Sequence, residues 1–478
     1  MLFSSYTFLL FLPLAIAALA VATRFGQRTL LVTLLALSLL FYGWFRADYI
    51  LILIVSAAVN FYLAALIERT ARPSVFWFGV VFNVALLAIF KYADFLVWNF
   101  DIVFRQQFAL PNIVLPLALS FITFEQISFL SDVRSKKAHK GDFLRYLVFV
   151  TFFPKLIAGP IIRFREMAPQ LAQAGVRYKE QIFTGLCIFC FALFKKVVIA
   201  DNLALVVDPT VVRLQDGLVR PLDAIAALLA YSGQIYFDFS AYSEMALGVA
   251  WMLGVQLPVN FNSPYKATSI IEFWRRWHIT LSSFLRDYIY FPLGGGRLGA
   301  RRTAANLLIV MLIGGLWHGA AWTFVAWGFV HGVALVANHQ VRQLPIVQRL
   351  DEHRAFGFGA WALSMTIVLI AWALFRSPDF ATSGRWLLSI VANADNIAAT
   401  TGPPDHWLVV VATLWALLLP NLPGIFRVAA DRDAIDWTAP PGIPLPPVWV
   451  SSAAAIALLA SLIGMARNQP NAFIYFQF

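Results

Sequence analysis

The chain has 478 residues, of which 60% are hydrophobic and 13% charged, with a net charge of +11 at pH 7. Soluble domains average about 45–50% apolar and about 25% charged residues, and one water-facing core could not hide this much apolar surface. An ordinary soluble domain is therefore excluded. The Lys and Arg residues sit in short loops between apolar runs, which fits the positive-inside rule and attraction to anionic lipid rather than nucleic-acid binding.

A spanning helix needs about 20 apolar residues. The first, over 5–22, has no basic stretch before its apolar run, so it reads as a retained span and not a signal peptide. Spans follow over 29–46, 48–67, 76–98 and 113–131. The last contains Pro116, Glu125 and Gln126, and the next apolar stretch, TFFPKLIAGPIIRF, contains Pro154, Lys155, Gly159 and Pro160. Proline removes a backbone donor, and broken helices in lipid persist only against protein or a cavity. Both stretches are expected to form re-entrant or tilted pieces around an internal site.

Two basic stretches flank this region. One holds Arg134, Lys136, Lys137, Lys140 and Arg145; the other holds Arg163, Arg165, Arg177 and Lys179. Both should face the cytoplasm, which places the N-terminus outside and the loops at Arg24–Arg28 and Arg69–Arg72 inside.

The 182–200 span carries Cys187 and Cys190. Their C-x-x-C spacing can mean redox chemistry or half a zinc site. With no second pair to complete a tetrahedral site, they read as small core residues. Further spans are expected over 221–237, 239–256, 304–320, 322–340, 357–376, 405–421 and 446–466. The fold class is all-α: a polytopic transmembrane bundle of about 11–13 spanning helices with re-entrant or interfacial pieces. No linker or internal repeat divides it, so 1–478 reads as a single transmembrane domain with its chemistry in the block 231–340.

That block concentrates ionisable groups, which are functional candidates inside a membrane. His318 follows an apolar run and is framed by Gly314, Gly315, Trp317 and Gly319. Glycines permit close approach of another backbone or a substrate, and a neutral imidazole is what a general base needs near pH 7. His278 lies in FWRRWHITLSSFL. If that stretch is helical, Arg275, His278 and Ser282 share a face and Glu272 can pair with Arg276. His331 stands thirteen residues after His318, a rotation of roughly 220° on one straight helix, which favours a structural role. His139, His339, His353 and His406 read as solvated. Asp238 and Glu244, six residues apart, and Trp317 are candidate cavity-lining groups. Arg297, Arg301 and Arg302 follow Gly294–Gly296, a combination suited to a phosphate-rich ligand or to an anchor loop. No metal, Walker or nucleophile-elbow motif is present.

These segments together resemble the membrane-bound O-acyltransferase family, in the bacterial branch that O-acetylates alginate and similar exopolysaccharides. The resemblance runs through MLFSSYTFLLFLP, FFPKLIAGPIIRFREMAPQL and FDFSAYSEMALGVAWMLG, and is most specific in NFNSPYKATSIIEFWRRWHITLSSFLRDYIYFPLGG and GLWHGAAWTFVAWGFVHG. It implies a helical funnel around a buried histidine, His318, with His278 as the second polar position. It implies no bound cofactor, and acetyl-CoA or another acyl thioester as donor substrate. Lys266, Arg275, Arg276 and Arg297 are the expected donor contacts. The acceptor is a periplasmic polysaccharide or a periplasmic SGNH-type acetylation partner, and the place is the bacterial inner membrane. The alternatives are D-alanyl transfer to teichoic acid from a carrier protein on the same fold, and a transporter or flippase without acyl chemistry.

Overall fold

The computed structural model describes residues 1–44, 46–105, 107–175, 179–350, 353–392, 406–426, 428–429, 435–437, 446–467 and 473–474. Arg177, read from the sequence as part of a basic stretch, lies outside them. All secondary structure among the described residues is helical. Among the described residues, six helical segments are long and apolar enough to cross a membrane: Tyr6–Arg24, Tyr49–Thr70, Pro73–Phe104, Lys179–Asp216, Ala355–Arg376 and Val448–Arg467. Gln27–Gly43 and His406–Leu418 are shorter apolar helices. The chain forms two compact units.

The first unit comprises Met1–Phe194, Ala241–Val259 and Phe426–Pro470. It opens with α1 (Tyr6–Arg24), α2 (Gln27–Gly43) and α3 (Tyr49–Thr70). The Ser5 hydroxyl starts α1 by accepting from the Phe8 N–H, satisfying a donor that the first turn leaves over. Next come α4 (Pro73–Leu87), a π-type turn at Ala88–Tyr92, and α5 (Ala93–Phe104). The stretch expected to span 113–131 behaves differently. Residues 107–118, with Pro111 and Pro116, are not helical, and α6 (Leu119–Arg134) follows unbroken.

The break falls instead in TFFPKLIAGPIIRF, which divides into α7 (Phe143–Thr151), the single turn α8 (Phe153–Leu156) and α9 (Phe164–Leu171). The broken piece is buried in protein, as backbone at membrane depth requires. It is tied to α6 by two ion pairs, Lys155–Glu125 and Arg165–Asp132. Beside it, Gln126 accepts from Ser56 and Asn60, and Asn60 exchanges amide bonds with Asn83. These polar groups join α3, α4 and α6 where apolar contact alone gives no preference over lipid.

The basic loops of this unit converge. The Lys140 N–H donates to Glu68 at the end of α3, and Arg134 lies over the Phe76 ring at the start of α4. The loop after α3 and the basic stretch after α6, which the positive-inside rule assigns to one face, thus lie together. The unit is completed by α10 (Lys179–Phe194), which carries the buried thiols of Cys187 and Cys190.

A π-type turn, Lys195–Ala200, leads from α10 into α11 (Asp201–Asp216), and α12 (Pro221–Met252) follows. The spans read as 221–237 and 239–256 are one 32-residue helix. Asp238 sits inside it because Lys196 compensates its charge, with Nζ 2.8 Å from one carboxylate oxygen. Within the first unit, α10 and α12 touch at glycines: a Cβ on Gly185 would lie 2.5 Å from the Gly248 carbonyl oxygen.

The second unit comprises Lys195–Ser240, Asn260–Ile425 and Asn471–Phe478. It contains α13 (Ile270–Arg276), α14 (Ile279–Leu285), α15 (Ala300–His318), α16 (Trp322–Val341), α17 (Pro345–Leu350), α18 (Arg354–Arg376), α19 (Phe380–Val391), α20 (His406–Leu418) and α21 (Leu422–Ile425). The last helix of the chain, α22 (Val448–Arg467), packs on α10 in the first unit.

Candidate active site

Two helices returning on each other build the site. The α14 segment continues through a π-type turn, Arg286–Tyr290, and the chain comes back along α15. His278 stands immediately before α14 and His318 ends α15. Both therefore lie at the same end of the pair, with ring centroids 6.4 Å apart. His278 has no exposed surface and His318 is 3% exposed.

Glycines make the α15 and α16 contact possible. A Cβ on Gly315 would stand 2.3 Å from the Phe324 carbonyl oxygen, and one on Gly328 would stand 2.3 Å from the Met311 carbonyl oxygen. Gly319 is held open by the Phe324 ring, which a Cβ would meet at 2.0 Å. The glycines framing His318 thus serve the helix pair that carries it. Gly328→Ala must push α15 away from α16, and overpacking of this kind costs about 1–3 kcal/mol. The expected result is a lower thermal midpoint in detergent, and a variant as stable as wild type would contradict this packing.

An aromatic wall surrounds His318. The rings of Trp317, Trp327 and Phe375 have centroids 5.0, 5.1 and 5.1 Å from the imidazole. Trp317 also faces His278 at 6.0 Å, and Phe239 meets His278 edge-on at 4.6 Å. His331 packs on Trp327 at 5.0 Å and accepts from Trp274 Nε1 at 3.3 Å. The separate spans expected over 304–320 and 322–340 agree with α15 and α16, so the rotation of roughly 220° between His318 and His331, which holds on one straight helix, does not apply. The chain breaks at Gly319–Ala321, and the two histidines stand on successive helices and share the Trp327 ring.

The expected helix through FWRRWHITLSSFL is also interrupted. α13 stops at Arg276, and His278 takes a left-handed backbone with φ 42°. Arg275, His278 and Ser282 therefore do not share a face of one continuous helix. Asn260, in the extended segment after α12, pins the break. Its carbonyl accepts from the Ile279 N–H at 2.9 Å, and its side-chain oxygen lies 3.0 Å from His278 Nδ1. The expected pair within α13 does form, with Arg276 2.6 Å from Glu272.

The remaining expected site residues divide by position. Lys266 donates to the Leu418 and Leu419 carbonyls and so finishes α20. Arg275 and Arg297 are exposed. Arg297 precedes α15, so it is separated from His318 by the helix length, about 27 Å at 1.5 Å per residue. The Gly294–Gly296 turn before α15 is held by Asn306, whose amide donates to the Leu293 and Gly295 carbonyls. His339 and Arg342 end α16 close enough to Arg275 for the three to interact. α15 and α16 pack through Gly315–Phe324 and Met311–Gly328. Their antiparallel course puts Arg297, Arg301, Arg302 and Arg342 at the end away from the two histidines.

Asp238 belongs to the second unit, where it takes Lys196 and the Ile474 N–H. Glu244, further along α12, is buried within the first unit. Among the described residues no group of three His, Cys, Asp or Glu side chains forms a metal cluster. Sequence reading missed Asn260, Phe239, Trp327 and Phe375. Only Asn260 carried a signal, as a polar residue in the proline-bounded segment LPVNFNSP.

The chain matches the model of the membrane-bound O-acyltransferase family over residues 62–376. A peptidoglycan O-acetyltransferase of Helicobacter pylori is 37% identical, over 80% of this chain and 78% of its own length. A probable alginate O-acetylase of Pseudomonas aeruginosa is 32% identical over the whole of both chains. A teichoic acid D-alanyltransferase of Bacillus subtilis is 29% identical over 47% of this chain and 59% of its own.

Proposed function

The chain belongs to the membrane-bound O-acyltransferase family and is a multi-pass membrane O-acyltransferase, and from that premise we propose that it moves an acetyl group from a cytoplasmic thioester to an exported polysaccharide. One observation carries the site assignment: two buried histidines, on different elements, with rings 6.4 Å apart inside an aromatic wall. The full-length likeness to acetylases, against a match of less than half the chain to a D-alanyltransferase, favours an acetyl group.

The proposed chemistry is general-base acyl transfer. An imidazole nitrogen of His318 takes the proton of the acceptor hydroxyl as its oxygen adds to the thioester carbonyl. The tetrahedral oxyanion collapses, the C–S bond breaks, and the thiolate leaves with the proton that His318 held. The ester bond forms on the acceptor. Aromatic enclosure keeps water from competing for the thioester. Asp238 and Trp317 remain proposed lining groups, within a catalytic block at 231–340 of a single transmembrane domain; Glu244 belongs to the first unit and is not assigned to this site.

Donor binding is assigned to the basic end of α15 and α16, with Arg275 and Arg297 as its first members; Arg276 and Lys266, also expected as donor contacts, are held by Glu272 and by the Leu418 and Leu419 carbonyls. Positive charge there agrees with a cytoplasmic face, and guanidinium groups suit the phosphates of acetyl-CoA. The acceptor lies beyond the opposite face of a bacterial inner membrane. It is an alginate-like or cellulose-like polysaccharide, or a periplasmic SGNH-type partner that passes the acetyl group on.

The test uses the purified full chain in detergent with radiolabelled acetyl-CoA and, separately, an acetylated carrier protein. Acetyl-CoA consumption that depends on His318 supports the reading. Consumption of the carrier-bound group alone overturns the donor assignment, and consumption of neither, by folded protein supplied with periplasmic extract, overturns the reading as a whole.

A further inference from the structure

We propose that Asn260 is a positioning residue that fixes which nitrogen of His278 carries the proton, and so makes His278 an acceptor toward the substrate hydroxyl. The inference rests on the assignment of His278 to the site, but the tautomer itself follows from the hydrogen bonds that Asn260 accepts.

Asn260 is 2% exposed, and its side-chain oxygen gathers three contacts. These are the Thr280 N–H at 3.3 Å, the Thr280 hydroxyl at 3.0 Å and His278 Nδ1 at 3.0 Å. A backbone N–H can only donate, so the Asn260 atom facing it is the oxygen and not the amide nitrogen. That oxygen has no hydrogen to give. The contact with His278 therefore requires Nδ1 to be the donor. A neutral imidazole has one donor and one acceptor, which leaves the lone pair on Nε2.

The backbone supports the same arrangement. The Asn260 carbonyl holds the Ile279 N–H, and the Asn262 N–H donates to the Arg276 carbonyl at 2.9 Å. The extended segment thus clamps both sides of the left-handed turn at His278. A residue other than glycine in that conformation persists only where its surroundings over-determine it. The tautomer limits what His278 can do. In its neutral form it cannot donate through Nε2 to a developing oxyanion, whereas it can accept from a hydroxyl and aim that oxygen. His278 can therefore orient the acceptor hydroxyl through Nε2, with proton removal assigned to His318 by the function proposed above.

Two measurements test this on the full chain in detergent. In nitrogen-15 spectra of histidine-labelled protein, with the His278 signal identified by its loss in His278→Gln, wild type should show the Nδ1–H tautomer. Asn260→Leu should shift it, while Thr280→Val, which removes the hydroxyl contact alone, should not. An Nε2–H tautomer in wild type, or no change in folded Asn260→Leu, overturns the proposal whatever the enzyme's activity. Second, Asn260→Leu should lower kcat about 10- to 100-fold, the scale of loss seen when the partner orienting a metal-bound histidine is removed. Combined with His278→Gln it should add nothing further, because both changes remove one function. Losses that multiply would make Asn260 structural only and overturn the positioning role. An inactive wild type would instead count against the function proposed above and leave the spectra to decide the tautomer.

Discussion

His318→Ala is expected to reduce acyl transfer by roughly 10³- to 10⁴-fold while leaving a folded protein. A positioned general base contributes about 10²–10⁴-fold by itself. The upper part of that range applies because His318 is enclosed by Trp317, Trp327 and Phe375, which leave a substituting water little access. The fold should survive because the wall closes on itself. Trp327 and Trp372 lie 6.2 Å apart with near-parallel rings, and Phe375 contacts both at 5.2 and 5.5 Å. The check is turnover of radiolabelled thioester beside the thermal midpoint of the same preparation. Near-normal turnover by the alanine variant would remove His318 from the chemistry. His278→Gln should lose less, since an orienting group affects geometry and not the proton inventory.

The site was partly legible in the sequence, for identifiable reasons. His318 was legible because glycines at 314, 315 and 319 and a tryptophan surround it in an apolar run, a pattern with few purposes other than close approach. Its proximity to His278 was not, because nothing in FWRRWHITLSSFL signals a break. There is no glycine or proline, and local preference favours one helix. The turn at His278 is imposed from outside, by Asn260 eighteen residues earlier. Tertiary compensation also hid the true length of α12. An aspartate at 238 read as a span boundary, yet Lys196 neutralises it within the helix. The proline signal was right at Pro154 and displaced at Pro116, which precedes α6 without interrupting it. Hydropathy thus identified most of the apolar helices. It could not identify which polar groups inside them were already paired.

Pairing also governs the second large effect, expected far from the chemistry. Glu125 and Lys155 form an ion pair with side chains 5% and 2% exposed, joining α6 to the broken segment in the first unit. Removing one partner leaves a charge without compensation in apolar surroundings, which costs about 3–5 kcal/mol. Lys155→Met should therefore lower the thermal midpoint sharply or prevent recovery of monodisperse protein, and Glu125→Leu should do the same. The Lys155 ammonium also lies 4.7 Å from the Phe149 ring centroid, and a cation–π contact, worth about 2 kcal/mol or more when desolvated, should offset only part of the loss of the carboxylate. The double variant Glu125→Leu with Lys155→Met buries no charge and should recover most of the loss, since a buried pair is often replaceable by apolar groups of similar volume. Arg165→Ala supplies the contrast. Its contact with Asp132 is longer, at 3.5 Å, and Arg165 is 28% exposed although Asp132 is only 4% exposed, so the change should cost less than losing Lys155 but more than the roughly 0–1 kcal/mol of a surface pair. If the double variant is as unstable as either single one, the pair is required for its geometry at the break and not for charge balance.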